Sequence, residues 1–157
     1  MAILPPEPLV VRCPDPDATS RLGRALGSVA AAGDLVCLWG ELGAGKTHLA
    51  KAFGAAMGVT DTITSPSFIL MAEYRGRLPL FHLDPYRLAD AADALAGGLI
   101  DDRQAAGVTL VEWPERLGAA LPAERLDVII DGAGDEARAI TLRAVGDEPR
   151  RYLEVVP

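Results

Sequence analysis

Gly40-Glu41-Leu42-Gly43-Ala44-Gly45-Lys46-Thr47 is the stretch from which the fold of this chain is read most directly. It matches the phosphate-binding loop pattern G-x-x-x-x-G-K-S/T at every fixed position. Before it, Leu35 to Trp39 form a short apolar run that is typical of a buried strand. After it, apolar residues recur at helical spacing as far as Met57, and Gly58 is a suitable helix stop. The motif therefore lies in the strand–loop–helix context that phosphate binding by such a loop requires.

The residue types of this loop predict how it binds phosphate. Its glycines let consecutive backbone N–H groups turn towards one centre, and the helix that follows adds its positive N-terminal end. Lys46 is expected to reach the β- and γ-phosphates, and the Thr47 hydroxyl to ligate Mg²⁺. A glycine-rich turn without a ligand is the alternative interpretation. The only two lysines are Lys46 and Lys51, so a composition that favours arginine has kept a compact ammonium at this position.

The expected contacts of a bound nucleotide, ATP or ADP, are the loop and the residue that follows it. They are Glu41, Leu42, Gly43, Ala44, Gly45, Lys46, Thr47 and His48. Lys46 is also a candidate catalytic residue, because its ammonium would face the transferred phosphate.

Length and composition restrict the class of protein. With 157 residues, 50% of them hydrophobic, the chain is expected to fold as one domain over 1–157, with tails at 1–8 and 146–157. The net charge of −7 argues against direct binding of nucleic acid, because such binding needs a basic surface. Cys13 and Cys37 lack metal or disulfide spacing, and no signal peptide or membrane span is evident. We therefore expect a cytoplasmic protein with no membrane contact.

The remaining pattern predicts an α/β protein. Asp15 and Pro16 are a typical N-cap and first helical residue, and they precede an apolar helix face that ends before Gly33. Further strands are expected at 9–12, 68–74, 78–84, 108–111, 126–130 and 139–144, and further helices at 90–96 and 99–104. Short turns make the second and third of these strands, and also the last two, candidates for antiparallel pairs. The expected architecture is the P-loop NTPase fold, with a central mixed, mostly parallel sheet flanked by helices.

Two acidic residues are candidates for a site beside the loop. Asp84 and Glu112 each end an apolar strand, which is where a P-loop sheet presents its second acidic motif. Either one alone is equally well explained as an ordinary solvated carboxylate. Their presence at the ends of two separate strands favours a role near the metal or the attacking water. The residues themselves leave open which of the two is the main carboxylate on the metal side.

Several other residues have two interpretations each. The loop Thr64–Phe68 is either a switch that contacts the γ-phosphate or a turn fixed by proline. Trp113 either covers the nucleotide or fills the core. His82 is expected to be structural, whereas Arg87 and Arg138 are candidates for charge compensation or partner contacts, with a solvated surface arginine as the alternative.

Taken together, these motifs resemble one family, the bacterial TsaE (YjeE) P-loop ATPases of tRNA threonylcarbamoyladenosine modification. The resemblance extends from about Asp17 to Arg143. It is carried by the phosphate loop and by Ser65-Pro66-Ser67-Phe68, His82-Leu83-Asp84-Pro85-Tyr86-Arg87 and Val111-Glu112-Trp113-Pro114-Glu115. Many families share the loop, but the ordered set of all four motifs is much more specific.

The resemblance implies a function and a set of roles. TsaE-like proteins bind ATP and Mg²⁺, hydrolyse ATP slowly alone, and support turnover of a complex of TsaB and TsaD, in which TsaD transfers the threonylcarbamoyl group. The tRNA would then be engaged only indirectly. By analogy, Thr47 and Glu112 hold the metal, Asp84 positions water or acts as a base, and Arg138 lies near the nucleotide.

Two other functions remain open at this point. The first is a module whose ATP-bound and empty forms differ in partner affinity, with negligible catalysis of its own. The second is a small-molecule kinase, which would need clustered arginines and a mobile lid after the loop. The chain has no evident arginine-rich lid, and a hairpin is expected in that position.

Overall fold

The computed structural model of the chain describes residues 6–64, 71–87 and 102–157. The strands in these ranges are β1 Leu9–Cys13, β2 Leu35–Trp39, β3 Met71–Arg75, β4 Pro79–Leu83, β5 Val108–Glu112, β6 Arg125–Asp131 and β7 Arg138–Val145. The α-helices are α1 Pro16–Ser28 and α2 Lys46–Ala56. Short 3-10 segments lie at Pro85–Arg87, Asp102–Ala106, Pro114–Ala120 and Glu148–Glu154.

The strands form one sheet in the order β1-β7-β6-β2-β5-β4-β3. The four central strands β6, β2, β5 and β4 are parallel, whereas β1, β7 and β3 pair antiparallel at the sides. This confirms the predicted α/β fold with a mixed sheet, in which the parallel part is confined to the centre. Both predicted antiparallel pairs, β3 with β4 and β6 with β7, are also confirmed.

Some predicted elements lie outside the described residues. These are the helix at 90–96, the first part of the strand expected at 68–74, and the first part of the helix expected at 99–104. Within the described part of the last of these, Asp102–Ala106 is a 3-10 segment that leads into β5.

Helix α1 begins as its sequence predicts and packs against α2. The Ala18 amide donates to the Asp15 carboxylate at 2.9 Å, and Pro16 is the first helical residue. The inner face of α1 includes Gly23 and Gly27, where an added Cβ would lie within 3.0 Å of backbone atoms of α2. The two glycines therefore allow close approach of the helices. No helix in the described ranges is long and apolar enough to cross a membrane.

Alternate residues of β2 fill two separate cores. Val36 and Leu38 lie on the side of the sheet that α1 and α2 cover. Cys37 lies on the other side and packs with Leu117 of the segment Pro114–Ala120. Cys37 is a free, buried thiol, and burial raises its pKa. The strand that enters the phosphate loop is thus fixed from both faces.

The C-terminal residues 146–157 are predicted to be a tail, but 148–154 pack as a 3-10 segment against the domain. Tyr152 is 1% exposed, and its hydroxyl donates to the Asp34 carboxylate just before β2. Arg151 also donates to Asp34 and, at 3.1 Å, to the Val29 carbonyl. The prediction of a tail was wrong because these contacts join residues that are far apart in the sequence. Such contacts produce no local periodicity in the sequence.

Candidate functional site

The phosphate loop connects the end of β2 to the start of α2. Gly43 and Gly45 have φ values of 83° and 107°, a left-handed backbone that favours glycine. Gly45 is the N-cap of α2 and provides no side-chain hydrogen bond to the helix. The first amides of α2 have no acceptor within the helix. The loop thus ends in an uncapped helix N-terminus, which suits an anion.

The Lys46 side chain folds back over this loop. Its ammonium donates to the carbonyls of Gly40 at 2.5 Å and Glu41 at 3.3 Å. The same nitrogen lies 3.6 Å from the centre of the Trp113 ring, a cation–π contact. Burial lowers the pKa of Lys46, and nearby carboxylates, Glu112 first among them, act in the opposite direction. A positive charge is therefore held beside the N-terminus of α2.

Thr47, Glu112 and His82 form a connected set of polar side chains. The Thr47 hydroxyl lies 3.1 and 3.2 Å from the two carboxylate oxygens of Glu112. Nε2 of His82 lies 2.6 Å from Oε2 of Glu112, and both side chains are almost completely buried. Nδ1 of His82 has no hydrogen-bond partner among the described residues, so the described polar contact of the ring is the one that Nε2 makes with Glu112. The hydroxyl and the carboxylate predicted to share a metal are therefore adjacent.

Asp84 lies in the same cavity as the loop and Glu112. The cavity has a volume of about 500 Å³ and is also lined by Tyr86 and Trp113. Asp84 is 2% exposed, and one of its carboxylate oxygens accepts from the Tyr86 amide at 3.1 Å. Both predicted acids are thus brought to one cavity by the parallel strands β4 and β5. Glu112 is the one that contacts Thr47.

Trp113 forms part of the wall of this cavity. Its φ of 57° makes it the one non-glycine residue with a left-handed backbone in the described ranges. Such a backbone costs about 1–2 kcal/mol for a non-glycine residue. The conformation brings the indole against Lys46 and 4.8 Å from the Tyr86 ring, which in turn lies 5.1 Å from the Arg116 guanidinium. Sequence reasoning named Trp113 but did not find its contact with Tyr86 or the contact of Tyr86 with Arg116, for which the sequence carries no periodic signal.

A second cavity of about 310 Å³ adjoins the first and shares Ala44, Gly45 and His48 with it. It lies between the β1–α1 connection and the β6–β7 turn, and Arg138 also lines it. His48 is held at the rim, with Nε2 at 2.8 Å from the Ser20 hydroxyl. Sequence reasoning did not find this cavity, because its walls are short connections from distant parts of the chain.

The remaining predicted site residues have different environments. Glu41 is exposed, and Leu42 is 84% exposed at the tip of the loop. Ser65–Phe68, the rest of the candidate switch after Thr64, and the Arg87 side chain lie outside the described residues.

Comparison with known proteins identifies the family. The family model described as "Threonylcarbamoyl adenosine biosynthesis protein TsaE" matches residues 13–140, which include the loop, both acids and Arg138. The chain belongs to the TsaE family. It therefore has a role in tRNA threonylcarbamoyladenosine biosynthesis, as the resemblance of its motifs predicted.

Individual TsaE proteins are similar over most of their length. The tRNA threonylcarbamoyladenosine biosynthesis protein TsaE of Bacillus subtilis is 41% identical over 144 residues, which cover 91% of this chain and 90% of that protein. The TsaE of Mycobacterium tuberculosis H37Rv is 43% identical over 128 residues, which cover 75% and 76%. The crystal structure of Bacillus subtilis YdiB matches with a TM-score of 0.79 and 35% identity, over 99% of this chain and 97% of that one. The similarity to known proteins thus extends to the fold as well as to the sequence.

Proposed function

We propose that this TsaE protein binds ATP or ADP with Mg²⁺ and hydrolyses ATP slowly, and that hydrolysis supports turnover of a TsaB–TsaD complex. The observation that carries the proposal is the contact of the Thr47 hydroxyl with the Glu112 carboxylate, beside Lys46 and Asp84 in one cavity. A phosphate loop alone can bind an anion, whereas hydrolysis also needs a carboxylate near the metal and a group that orients water.

The two adjoining cavities suggest how a nucleotide would lie. The β- and γ-phosphates would occupy the larger cavity, between the N-terminus of α2 and Lys46. The nucleoside would extend into the smaller cavity, past the shared residues Ala44, Gly45 and His48. Lys46 would leave the Gly40 and Glu41 carbonyls to meet the phosphates, while its aliphatic chain stays against Trp113.

The donor set near Thr47 fits magnesium. A hydroxyl and a carboxylate are hard oxygen ligands, and Mg²⁺ is usually held by one or two such groups together with water and phosphate. Thr47 and Glu112 would hold the ion, and His82 would fix the orientation of the carboxylate from behind. When bound, the ion would neutralise charge on the phosphates.

Asp84 is the candidate for orienting the attacking water. In the proposed reaction, water attacks the γ-phosphorus, the bond from that phosphorus to the bridging oxygen of ADP breaks, and Asp84 accepts the proton of the water. The Tyr86 amide fixes one oxygen of Asp84, which supports a defined position for the carboxylate. Lys46 would stabilise the negative charge on the transferred phosphoryl oxygens.

The charge of the chain supports an indirect relation to tRNA. A net charge of −7 disfavours contact with a phosphate backbone, so the tRNA would be held by partners. In this proposal the partners are TsaB and TsaD, and the protein acts in the cytoplasm.

The test is ATP turnover by the isolated protein, with and without TsaB and TsaD homologues. We expect Asp84→Asn to abolish hydrolysis, because an amide cannot accept the proton, whereas exposed Asp61→Asn should behave as wild type. Absence of turnover by wild type under both conditions would remove the enzymatic claim. If Asp84→Asn loses hydrolysis but still supports tRNA modification, the protein is a nucleotide-gated module instead.

Substitution of His82 should weaken the binding of magnesium but not the binding of metal-free nucleotide. His82→Leu removes the donor to Glu112 and should weaken the magnesium-dependent part of ADP affinity about tenfold or more, with metal-free ADP affinity unchanged. His82→Gln can still donate a hydrogen bond and should restore part of the loss. Magnesium titrations of ADP binding measure both effects. A magnesium dependence in His82→Leu equal to that of wild type would show that the contact does not serve the metal.

A further inference from the structure

Arg138 connects two main-chain segments at the edge of the site. It is the first residue of β7, and its Nε donates to the Ala44 carbonyl at 2.8 Å. Nη2 donates to the Gly43 carbonyl at 3.3 Å and to the Gly134 carbonyl at 3.0 Å, and Nη1 donates to the Glu136 carbonyl. Two of these acceptors belong to the phosphate loop and two to the β6–β7 turn. The guanidinium therefore joins the loop to the turn through main-chain oxygens.

The bond to Ala44 determines where one amide of the loop points. In a planar trans peptide the C=O and the N–H point in opposite directions. The Ala44 C=O and the Gly45 N–H belong to the same peptide unit. Because Arg138 binds the Ala44 oxygen on one side of the loop backbone, the N–H of Gly45 points to the opposite side. The neighbouring Ala44 amide is already used, since it donates to the Glu41 carbonyl at 3.0 Å. Gly45 is thus the next amide available to an anion, and Arg138 fixes the peptide that carries it.

The loop needs such a constraint because of its composition. Gly43 and Gly45 both have a left-handed backbone, and an added Cβ at either position would meet no atom of the described residues within 4 Å, apart from its chain neighbours. Described side chains from other parts of the fold therefore do not lock these two residues, and glycine has many accessible conformations. Hydrogen bonds from outside the loop reduce the ordering that binding would otherwise require.

We propose that Arg138 is a positioning residue, which holds the phosphate loop in its anion-binding shape through main-chain carbonyls and not by contact of its charge with the ligand. This rests on the proposed function, because it concerns the same phosphate site. The bonds to Gly134 and Glu136 extend the effect, since the β6–β7 turn is one wall of the smaller cavity. Arg138 thus couples the shape of the phosphate loop to the wall where the nucleoside would lie.

The choice of arginine distinguishes this role from simple charge compensation. A guanidinium presents five N–H donors in a fixed planar fork and can serve four separated carbonyls, as observed here. A lysine ammonium carries the same charge at one point and cannot reach the same set. Lysine should therefore replace Arg138 if charge is what matters and fail if positioning is what matters.

The experiment compares Arg138→Lys and Arg138→Gln by calorimetry, with metal-free inorganic tripolyphosphate and with ADP as probes. We expect both variants to bind tripolyphosphate about tenfold more weakly than wild type, by similar factors, since each loses the bonds that orient the loop. Arg143→Gln is the matched control, because Arg143 is exposed on the same strand and its substitution removes the same charge. It should bind as wild type does.

A measurement on the wild-type protein makes the test independent of whether the variants fold. The Nε–H resonance of Arg138 should be slow to exchange without ligand and should keep its chemical shift when tripolyphosphate is added, because its acceptor remains Ala44. Wild-type affinity in Arg138→Lys, or a large shift of the Nε–H resonance, would overturn the positioning role in favour of direct contact. Wild-type affinity in Arg138→Gln would overturn any role in phosphate binding. Failure of wild type to bind either probe would instead contradict the proposed function.

Discussion

Lys46→Gln should weaken ATP binding by about a hundredfold or more, whereas Lys51→Gln should leave it unchanged. Lys46 places an ammonium beside the uncapped N-terminus of α2, where charge-assisted hydrogen bonds to phosphate are worth about 1.5–3 kcal/mol each. Lys51 is the other lysine of the chain, one turn and a half further along the same helix, and it is exposed. Calorimetric titration of both variants with ATP and Mg²⁺ measures the difference.

A measurement of folding separates this result from a loss of structure. Because burial lowers the pKa of Lys46, the folded protein disfavours its charged form relative to water. Lys46→Gln relieves this burial of charge but also removes the bonds to the Gly40 and Glu41 carbonyls and the contact with Trp113, so the melting temperature of the nucleotide-free variant is the control for folding. An unchanged ATP affinity in folded Lys46→Gln would show that the loop does not use this ammonium.

Glu112→Gln should reduce the rate of magnesium-dependent ATP hydrolysis by about a thousandfold, equivalent to about 4 kcal/mol of transition-state stabilisation. The amide has nearly the shape of the carboxylate and can still contact Thr47, but it lacks the charge that a metal ligand supplies. Affinity for metal-free ADP should stay close to that of wild type, because the loop amides and Lys46 are unchanged.

Glu115→Gln is the control for Glu112→Gln. Glu115 is exposed and lies in the next segment, Pro114–Ala120, where it also raises the pKa of Lys46 through its charge. If hydrolysis depended only on negative charge near Lys46, the two variants would have similar effects. Equal loss in both, or full activity in Glu112→Gln, would contradict a metal-ligand role for Glu112.

The parts of the site that were predictable from the sequence are those with local signals. The loop is a contiguous motif between an apolar strand and a helical pattern, so its position and its two flanking elements could be read directly. Asp84 and Glu112 were found because each follows an apolar strand, and parallel strands bring their carboxyl ends to one edge of the sheet.

The parts that were not predictable depend on contacts between distant residues. Arg138 could be named as a candidate, but its acceptors are main-chain oxygens, one of them 94 positions away, which no side-chain pattern encodes. The contact of Tyr152 with Asp34 spans 118 positions and turned an expected tail into a packed segment. The left-handed backbone of Trp113 opposes the preference of a bulky residue and is imposed by its surroundings.

The pairing of β4 with β5 also explains how the buried histidine of the His82-Leu83-Asp84 stretch reaches Glu112. Residues two apart on a strand face the same side of the sheet, and His82 is opposite Leu110, two residues before Glu112, in the pairing of β4 with β5. His82 therefore reaches the carboxylate from inside the protein while Asp84 lies at the cavity. Its expected structural role thus includes a contact to the candidate metal ligand.

The most direct test of the central claim is calorimetric titration of the purified wild-type protein with ATP and with ADP in the presence of Mg²⁺. We expect saturable binding of one nucleotide per chain, which is tighter with magnesium than without it and is lost in Lys46→Gln. Absence of binding heat and of any stabilisation against thermal unfolding with both nucleotides would contradict it.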